Sequence, residues 1–470
     1  MKIMKKLNRQ KTTILSLVLC VILISCDGFL EDDIKSPNDP TIATPDLLLA
    51  NIQVATFATY SGQLARQSLV FGGQISGTVS GSQSQEIAQY NITEITNENE
   101  WEVIWAGAVV DCRNLIEDFG TESPYYAGIA KIIMALNIGV ATDLWGDVPF
   151  DEGGMGLDVD LMPRYEDQAV ILEKLQLLLD DAISDLSQPV ENNSFVPGTS
   201  DIMNGGNIAN WIQAAWIMKA RYANRLSSAD PTGSATDVLA AISNSGATGP
   251  ENDTFMRFFG GNAANQWDAF EANRQGYFRV SELFVNLLLD NNDPRTSLFL
   301  TTDVDGGYSG TPSDDPSNFN TSYVGTLYAA PDAPLPLITF VEAKFLEAEA
   351  HLRAGASGPA ADAHNLAVIT SIEQTTGAEA PADFVTEFAS ETAGSITLEK
   401  IMMQKYIAMF IQIECYSDWR RTGIPNLSPN PNAILPGIPL RLPTPQSERL
   451  YNSNAIVVGD PLIPVFWDQN

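Results

Sequence analysis

Apolar side chains recur at helical spacing through most of the chain. Trp101, Trp105, Ala108 and Cys112 follow one another at steps of four, three and four. So do Trp211, Ala215, Met218 and Tyr222; Val341, Phe345, Ala348 and Leu352; and Met402, Tyr406, Met409 and Ile413. Each stripe is one apolar helix face that needs a partner, and partners lie close by: 126–144 after the first stripe, and 360–372 after the third, across a turn at 355–359. Ala343, Ala348, Ala350 and Ala354 let backbones approach closely, as in tetratricopeptide helix pairs of about 34 residues, although no repeat consensus is present. The expected fold is therefore mainly α, with tetratricopeptide-like helix pairs forming a scaffold and a loop-rich, largely irregular insertion packed on it.

The scaffold is expected to begin where Thr44 can cap, and Pro45 can start, a helix through Leu48, Ile52 and Ala55 toward Leu69. Gly72, Gly73, Gly77 and Gly81 end it, and the Ser/Gln/Gly-rich stretch 74–85 reads as a loop or edge. The insertion is 246–336, rich in Gly, Asn, Asp and Pro, with many aromatics and one helix-like piece at 280–289. Loops this long in a compact body usually carry function.

The first 25 residues follow a different pattern. Residues 1–11 are basic, 14–24 are apolar but too few to span a bilayer, and Ser25 precedes Cys26, the order of a secretory signal peptide. Leu23-Ile24-Ser25-Cys26 resembles a bacterial lipobox, which implies that Cys26 is alkylated with diacylglycerol and becomes the new N-terminus. Three parts are expected: a signal peptide at 1–25, a lipidated N-terminus and tether at 26–44, and a single body at 45–470.

Acidic residues outnumber basic ones 58 to 26, a net charge of −32. Removing the leader with Lys2, Lys5, Lys6, Arg9 and Lys11, and no acid, takes this to about −37. Such a surface repels phosphate backbones and anionic headgroups, so nucleic acid is not an expected partner and membrane attachment must come through the lipid. Apart from Cys20 in the leader and Cys26 just after it, only Cys112 and Cys415 remain; they could form one bridge, but two buried thiols is the favoured reading.

Several blocks occur in the order found in the SusD/RagB-like nutrient-binding outer-membrane lipoproteins. They are Asp27-Gly28-Phe29-Leu30-Glu31 after the lipobox, Asp143-Leu144-Trp145-Gly146-Asp147-Val148-Pro149-Phe150 and Asn292-Asp293-Pro294-Arg295. Then come Glu342-Ala343-Lys344-Phe345-Leu346-Glu347-Ala348-Glu349-Ala350, 404–410, Asp418-Trp419-Arg420-Arg421-Thr422-Gly423 and 439–454. Physically these blocks read as structural: Gly146 as a left-handed helix stop before Pro149, and Asp418 to Arg421 as a buried ion pair. What the resemblance implies is a surface-exposed lipoprotein of the outer membrane, a lid on a SusC-like TonB-dependent barrel transporter, capturing glycans or other oligomeric nutrients. By rules drawn from other bacteria Asp27 instead marks inner-membrane retention, so which leaflet holds the anchor stays open.

Binding a sugar oligomer needs flat apolar faces rimmed by amide, carboxylate or guanidinium groups. Trp267, Phe270, Tyr277, Arg274 and Gln275, with Asn262 and Asn265, supply one such set; Gln74, Gln83, Gln85 and Tyr90 supply a second. The first is favoured, the bland alternative being that Trp267 and its neighbours pack the insertion onto the scaffold. Peptides or other oligomers would suit the same chemistry. A glycoside hydrolase would need two carboxylates, for which Asp268 and Glu271 are candidates. No other catalytic fingerprint is present, His351 and His364 are the only histidines, and neither catalysis nor a cofactor is expected. Asp303-Val304-Asp305-Gly306-Gly307 offers oxygen ligands for calcium but reads by default as a solvated turn.

Overall fold

Local capping chemistry sets several helix starts in the computed structural model, which describes residues 43–155, 161–315 and 317–468. Cys26, the leader and most of the tether lie outside these residues. The first two helices are α1 (Pro45–Ser61) and α2 (Gln63–Phe71). The single helix expected over 45–69 is thus broken at Gly62, where any Cβ would collide with the Ala58 carbonyl. Strand β1 (Ile75–Gly77) and helix α3 (Gln83–Ala88) follow.

The scaffold helices are α4 (Val110–Phe119), entered through a π-helical turn at Val103–Val109, α5 (Pro124–Trp145), α6 (Gln168–Leu186), α7 (Ile208–Arg225) and α8 (Pro231–Ser245). Asn207 caps α7 and Asp230 caps α8, while Gly146 (φ +84°) ends α5 and Gly246 (φ +61°) ends α8. The insertion then supplies β2 (Thr254–Met256), α9 (Gln266–Asn273), β3 (Phe278–Val280), α10 (Glu282–Asp290) and β4 (Leu335–Ile338). It is less irregular than expected, because Asn265 and Ser281 cap two short helices in it. The chain returns to the scaffold with α11 (Phe340–Arg353), α12 (Ser357–Thr376), α13 (Leu398–Ala408) and α14 (Glu414–Thr422).

From α4 to α8 each helix packs on the next, and α8 then packs directly on α11, which packs on α12, so the stack continues as though the insertion were absent. This is the tetratricopeptide-like, mainly α architecture expected from the apolar stripes. Helix α5 is apolar enough to cross a membrane by composition, but 94% of its most apolar window is buried inside the protein. Two short antiparallel ladders fasten the insertion: β1 pairs with β3, Ser76 opposite Arg279, and β2 pairs with β4.

Charge also crosses the helix stack. Arg225 on α7 binds Asp143 on α5 (2.8 Å) and Glu414 on α14 (2.6 Å), and Arg221 binds Glu342 on α11 (2.6 Å). Glu349 accepts from Arg421 and Arg353, and Asp418 from Lys405 (2.7 Å) and Arg421 (3.0 Å). Burial would raise the Asp418 carboxyl, but Lys405 and Arg421 outweigh it and hold it at about 2. The blocks 143–150, 342–350 and 418–423 are therefore ties between helices; the ion pair was expected for Asp418 to Arg421, whereas Asp143, Glu342 and Glu349 add ties that the sequence reading did not foresee. Cys112 and Cys415 are free, buried thiols.

Candidate functional site

The β1–β3 ladder joins segments some two hundred residues apart and places the two expected polar sets on adjoining loops. Thr78, just past β1, donates its amide to the Tyr277 carbonyl (2.8 Å) and its hydroxyl to the Gly276 carbonyl. Ser82 caps α3, so Gln83 opens that helix on the exposed side. Gln83 Nε2 donates to Gln63 Oε1 (2.8 Å), and Gln63 Nε2 donates to the Thr96 carbonyl (2.9 Å) and more weakly to Glu100 (3.5 Å).

One turn along α2 from Gln63, the Arg66 guanidinium lies 4.1 Å from the Phe270 ring centroid. Arg274, four residues beyond Phe270, approaches the same ring at 5.3 Å. Tyr277 meets it edge-on at 6.2 Å. Phe270 and Tyr277 are half-buried, whereas Arg274, Gln275 and Gln83 are exposed. The result is an open face of two rings edged by amides and guanidinium groups. Arg66, Gln63 and Glu100 were not singled out from the sequence, where each looks like an ordinary polar position on a helix.

Three expected contacts are corrected by burial. Trp267 and Asn265 are 0% exposed: Asn265 caps α9 and ties down the Tyr328 and Ala333 carbonyls (3.0 and 2.7 Å), and the Trp267 carbonyl accepts from the Tyr323 hydroxyl (2.9 Å) within the insertion. Tyr90 is 5% exposed, its ring against Phe71 and its hydroxyl accepting from the Asn430 amide. Gln74, also buried, bridges the Tyr406 carbonyl and the Ile411 amide. None of the four presents a face to a ligand.

Glu271 is not free for acid–base work either, since it pairs with Arg279 (3.1 Å) and accepts from the Gly276 amide (3.2 Å). The Asp303 carboxylate braces its own turn, accepting from the Asp305 and Gly307 amides and from Ser309.

A concavity of about 340 Å³ lies elsewhere, between Phe71, Ile75, Leu283, Leu427, Pro429 and Asn430. It suits an oligosaccharide less well than the Phe270 face. Its rings are almost wholly covered, and Asn430 Nδ2 is already committed to the Ala88 and Ser313 carbonyls.

A smaller cavity of about 190 Å³ lies between insertion and scaffold, with Asp253 in its wall. Burial pushes the Asp253 carboxyl up to about 7, against the Gln374 amide (2.9 Å) and the Phe340 N–H (2.6 Å) it accepts. A carboxyl raised above its unfolded value of 3.8 favours folding below that value, and the gain is lost as pH rises through about 7. Asp253→Asn, neutral throughout, should gain stability relative to the parent between pH 5 and pH 8. Urea midpoints of both proteins at the two pH values test this; an unchanging difference would refute it.

Known proteins bear on this architecture. A SusD-like family described as "Starch-binding associating with outer membrane" matches residues 37–445. No curated protein matches the chain. Among solved structures, a chitin-binding protein is 23% identical, covering 91% of this chain and 100% of its own, with a TM-score of 0.75. A chitin-binding SusD homologue from Flavobacterium johnsoniae is 18% identical over 90% and 97% of the two chains, TM-score 0.78. A SusD/RagB family protein from Bacteroides thetaiotaomicron is 22% identical over 91% and 99%, TM-score 0.74. At such identities these likenesses speak to the fold alone. The family match, however, runs through the helix ties and the insertion alike, and on it the chain belongs to the SusD-like family of glycan-binding proteins, which associate with the outer membrane and are not enzymes.

Proposed function

We propose that the protein captures glycans at the cell surface on the face built by Phe270, Tyr277, Arg274, Gln275 and Gln83, and hands them to a SusC-like TonB-dependent barrel transporter. The lipid on Cys26 holds it in the outer membrane. The observation that carries the reading is the half-open pair of rings with amide and guanidinium groups at its rim, the arrangement sugar rings require: apolar C–H faces on an aromatic surface, hydroxyls on polar groups. The chitin-binding of two structural relatives supports a glycan rather than a peptide.

Protein lacking the leader, incubated with mixed oligosaccharides and peptides, should retain a glycan whose mass is unchanged. Phe270→Ala should weaken that binding by about 2 kcal/mol, roughly thirtyfold in Kd, for the loss of the ring face. Retention of peptides alone, or full affinity in the Phe270→Ala protein, refutes the glycan reading. Co-purification from mildly solubilised outer membrane should recover the barrel; its absence counts against delivery to a transporter.

A further inference from the structure

In a chain with 58 acidic and only 26 basic residues, an unpaired buried cation is unexpected. Arg441, as buried as Arg66, donates to the Trp145 carbonyl, and the arginines that tie the scaffold helices meet carboxylates: Arg221, Arg225 and Arg421 each sit within ion-pair distance of at least one. Arg66 does not. It is 8% exposed, its Nη1 is enclosed without a hydrogen-bond partner, and no carboxylate pairs with it among the described residues. Glu100 acts on it only at longer range, and burial drives the Arg66 guanidinium down to about 10.

A buried guanidinium without a counter-charge is costly, and such groups persist where something else supplies the charge. Arg66 is, moreover, not alone. The exposed Arg274 comes to the same Phe270 ring, and its charge adds to the lowering of the Arg66 guanidinium. Arg279, the third arginine of this region, is already paired with Glu271. Two guanidinium groups that pair with no carboxylate among the described residues thus converge on the ring proposed to carry a sugar.

We infer that the glycan taken by this face is acidic, carrying a carboxylate or sulfate that sits between Arg66 and Arg274 while its ring lies on Phe270. Planar guanidinium groups suit both anions, through paired N–H donors. A neutral sugar would offer hydroxyls to the same donors but would leave the charge uncompensated. This assignment rests on the capture reading above and narrows its ligand class.

The test is isothermal titration of protein lacking the leader against four probes: oligogalacturonates, which carry carboxylates alone, the same oligomers fully methyl-esterified, carrageenan tetrasaccharide, which carries sulfates alone, and neutral chito- and malto-oligosaccharides. At least one charged series should bind tenfold or more tighter than the esterified and neutral oligomers. Which one binds separates carboxylate from sulfate. Arg274→Ala, at an exposed position and so without loss of thermal stability, and Arg66→Gln should each reduce that preference at least threefold. Neutral oligomers binding as tightly as charged ones, or a charge preference that survives both substitutions, overturns the inference while the capture reading stands. If no glycan in any arm binds, both fall.

Discussion

Arg225→Met should lower the free energy of unfolding by about 3–5 kcal/mol, seen as a fall in the urea midpoint. Arg225 is fully buried and its guanidinium neutralises two carboxylates at once, Asp143 and Glu414. Methionine fills much of the same space, so the lost term is charge rather than volume. Burial raises the Glu414 carboxyl, and Arg225 and Arg221 together hold it below its ordinary value. Without Arg225, Asp143 and Glu414 must share the help of more distant cations or take up protons. A single arginine removed from a buried network is therefore far more damaging than a network replaced whole by apolar side chains. An unchanged midpoint would mean that the helix ties contribute nothing to stability.

The same network explains which parts of the fold were readable in the sequence. The apolar stripes announced the helices, because a helix that must bury one face repeats at three and four residues whatever its neighbours. The charged blocks announced the family but not their own partners. Asp143, Arg221, Arg225, Glu342 and Glu414 lie as much as 271 positions apart, and only packing shows that they form one network. The break at Gly62 went unseen because the apolar pattern runs on through it.

At the site, Phe270, Arg274, Gln275 and Tyr277 were legible as aromatic and polar residues on one loop, and Gln83 as part of a polar stretch. Their union through the β1–β3 ladder was not, since both strands are three residues long and carry no alternation to read. Trp267 was overrated for the reason that makes aromatics attractive in sequence: a large ring fits a binding face and a core equally well, and here it is fully buried. Arg66 was invisible because a lone arginine on an amphipathic helix looks like surface. Its partner ring follows it by 204 positions.

Trp467→Ala should cost about 3–5 kcal/mol of stability, although the residue stands three from the end of the chain. Its ring is fully buried between two guanidinium groups, Arg420 at 4.6 Å and Arg225 at 5.5 Å. Arg420 in turn donates to the Asp143 and Leu440 carbonyls (2.7 and 2.8 Å), so the ring closes the same network that Arg225 centres. Truncation would leave a cavity the size of an indole beside two buried cations. Among the described residues the indole N–H has no acceptor, so the ring face rather than the hydrogen bond is what matters, and Trp467→Phe should retain more than half of the stability that the alanine loses. Arg225→Met and Trp467→Ala share contacts, and their combined cost should differ from the sum of the two by at least 0.5 kcal/mol. Denaturant midpoints of the four proteins decide it: an alanine protein as stable as the parent would make the tail dispensable, and strict additivity would mean that Trp467 packs independently of the charges around it.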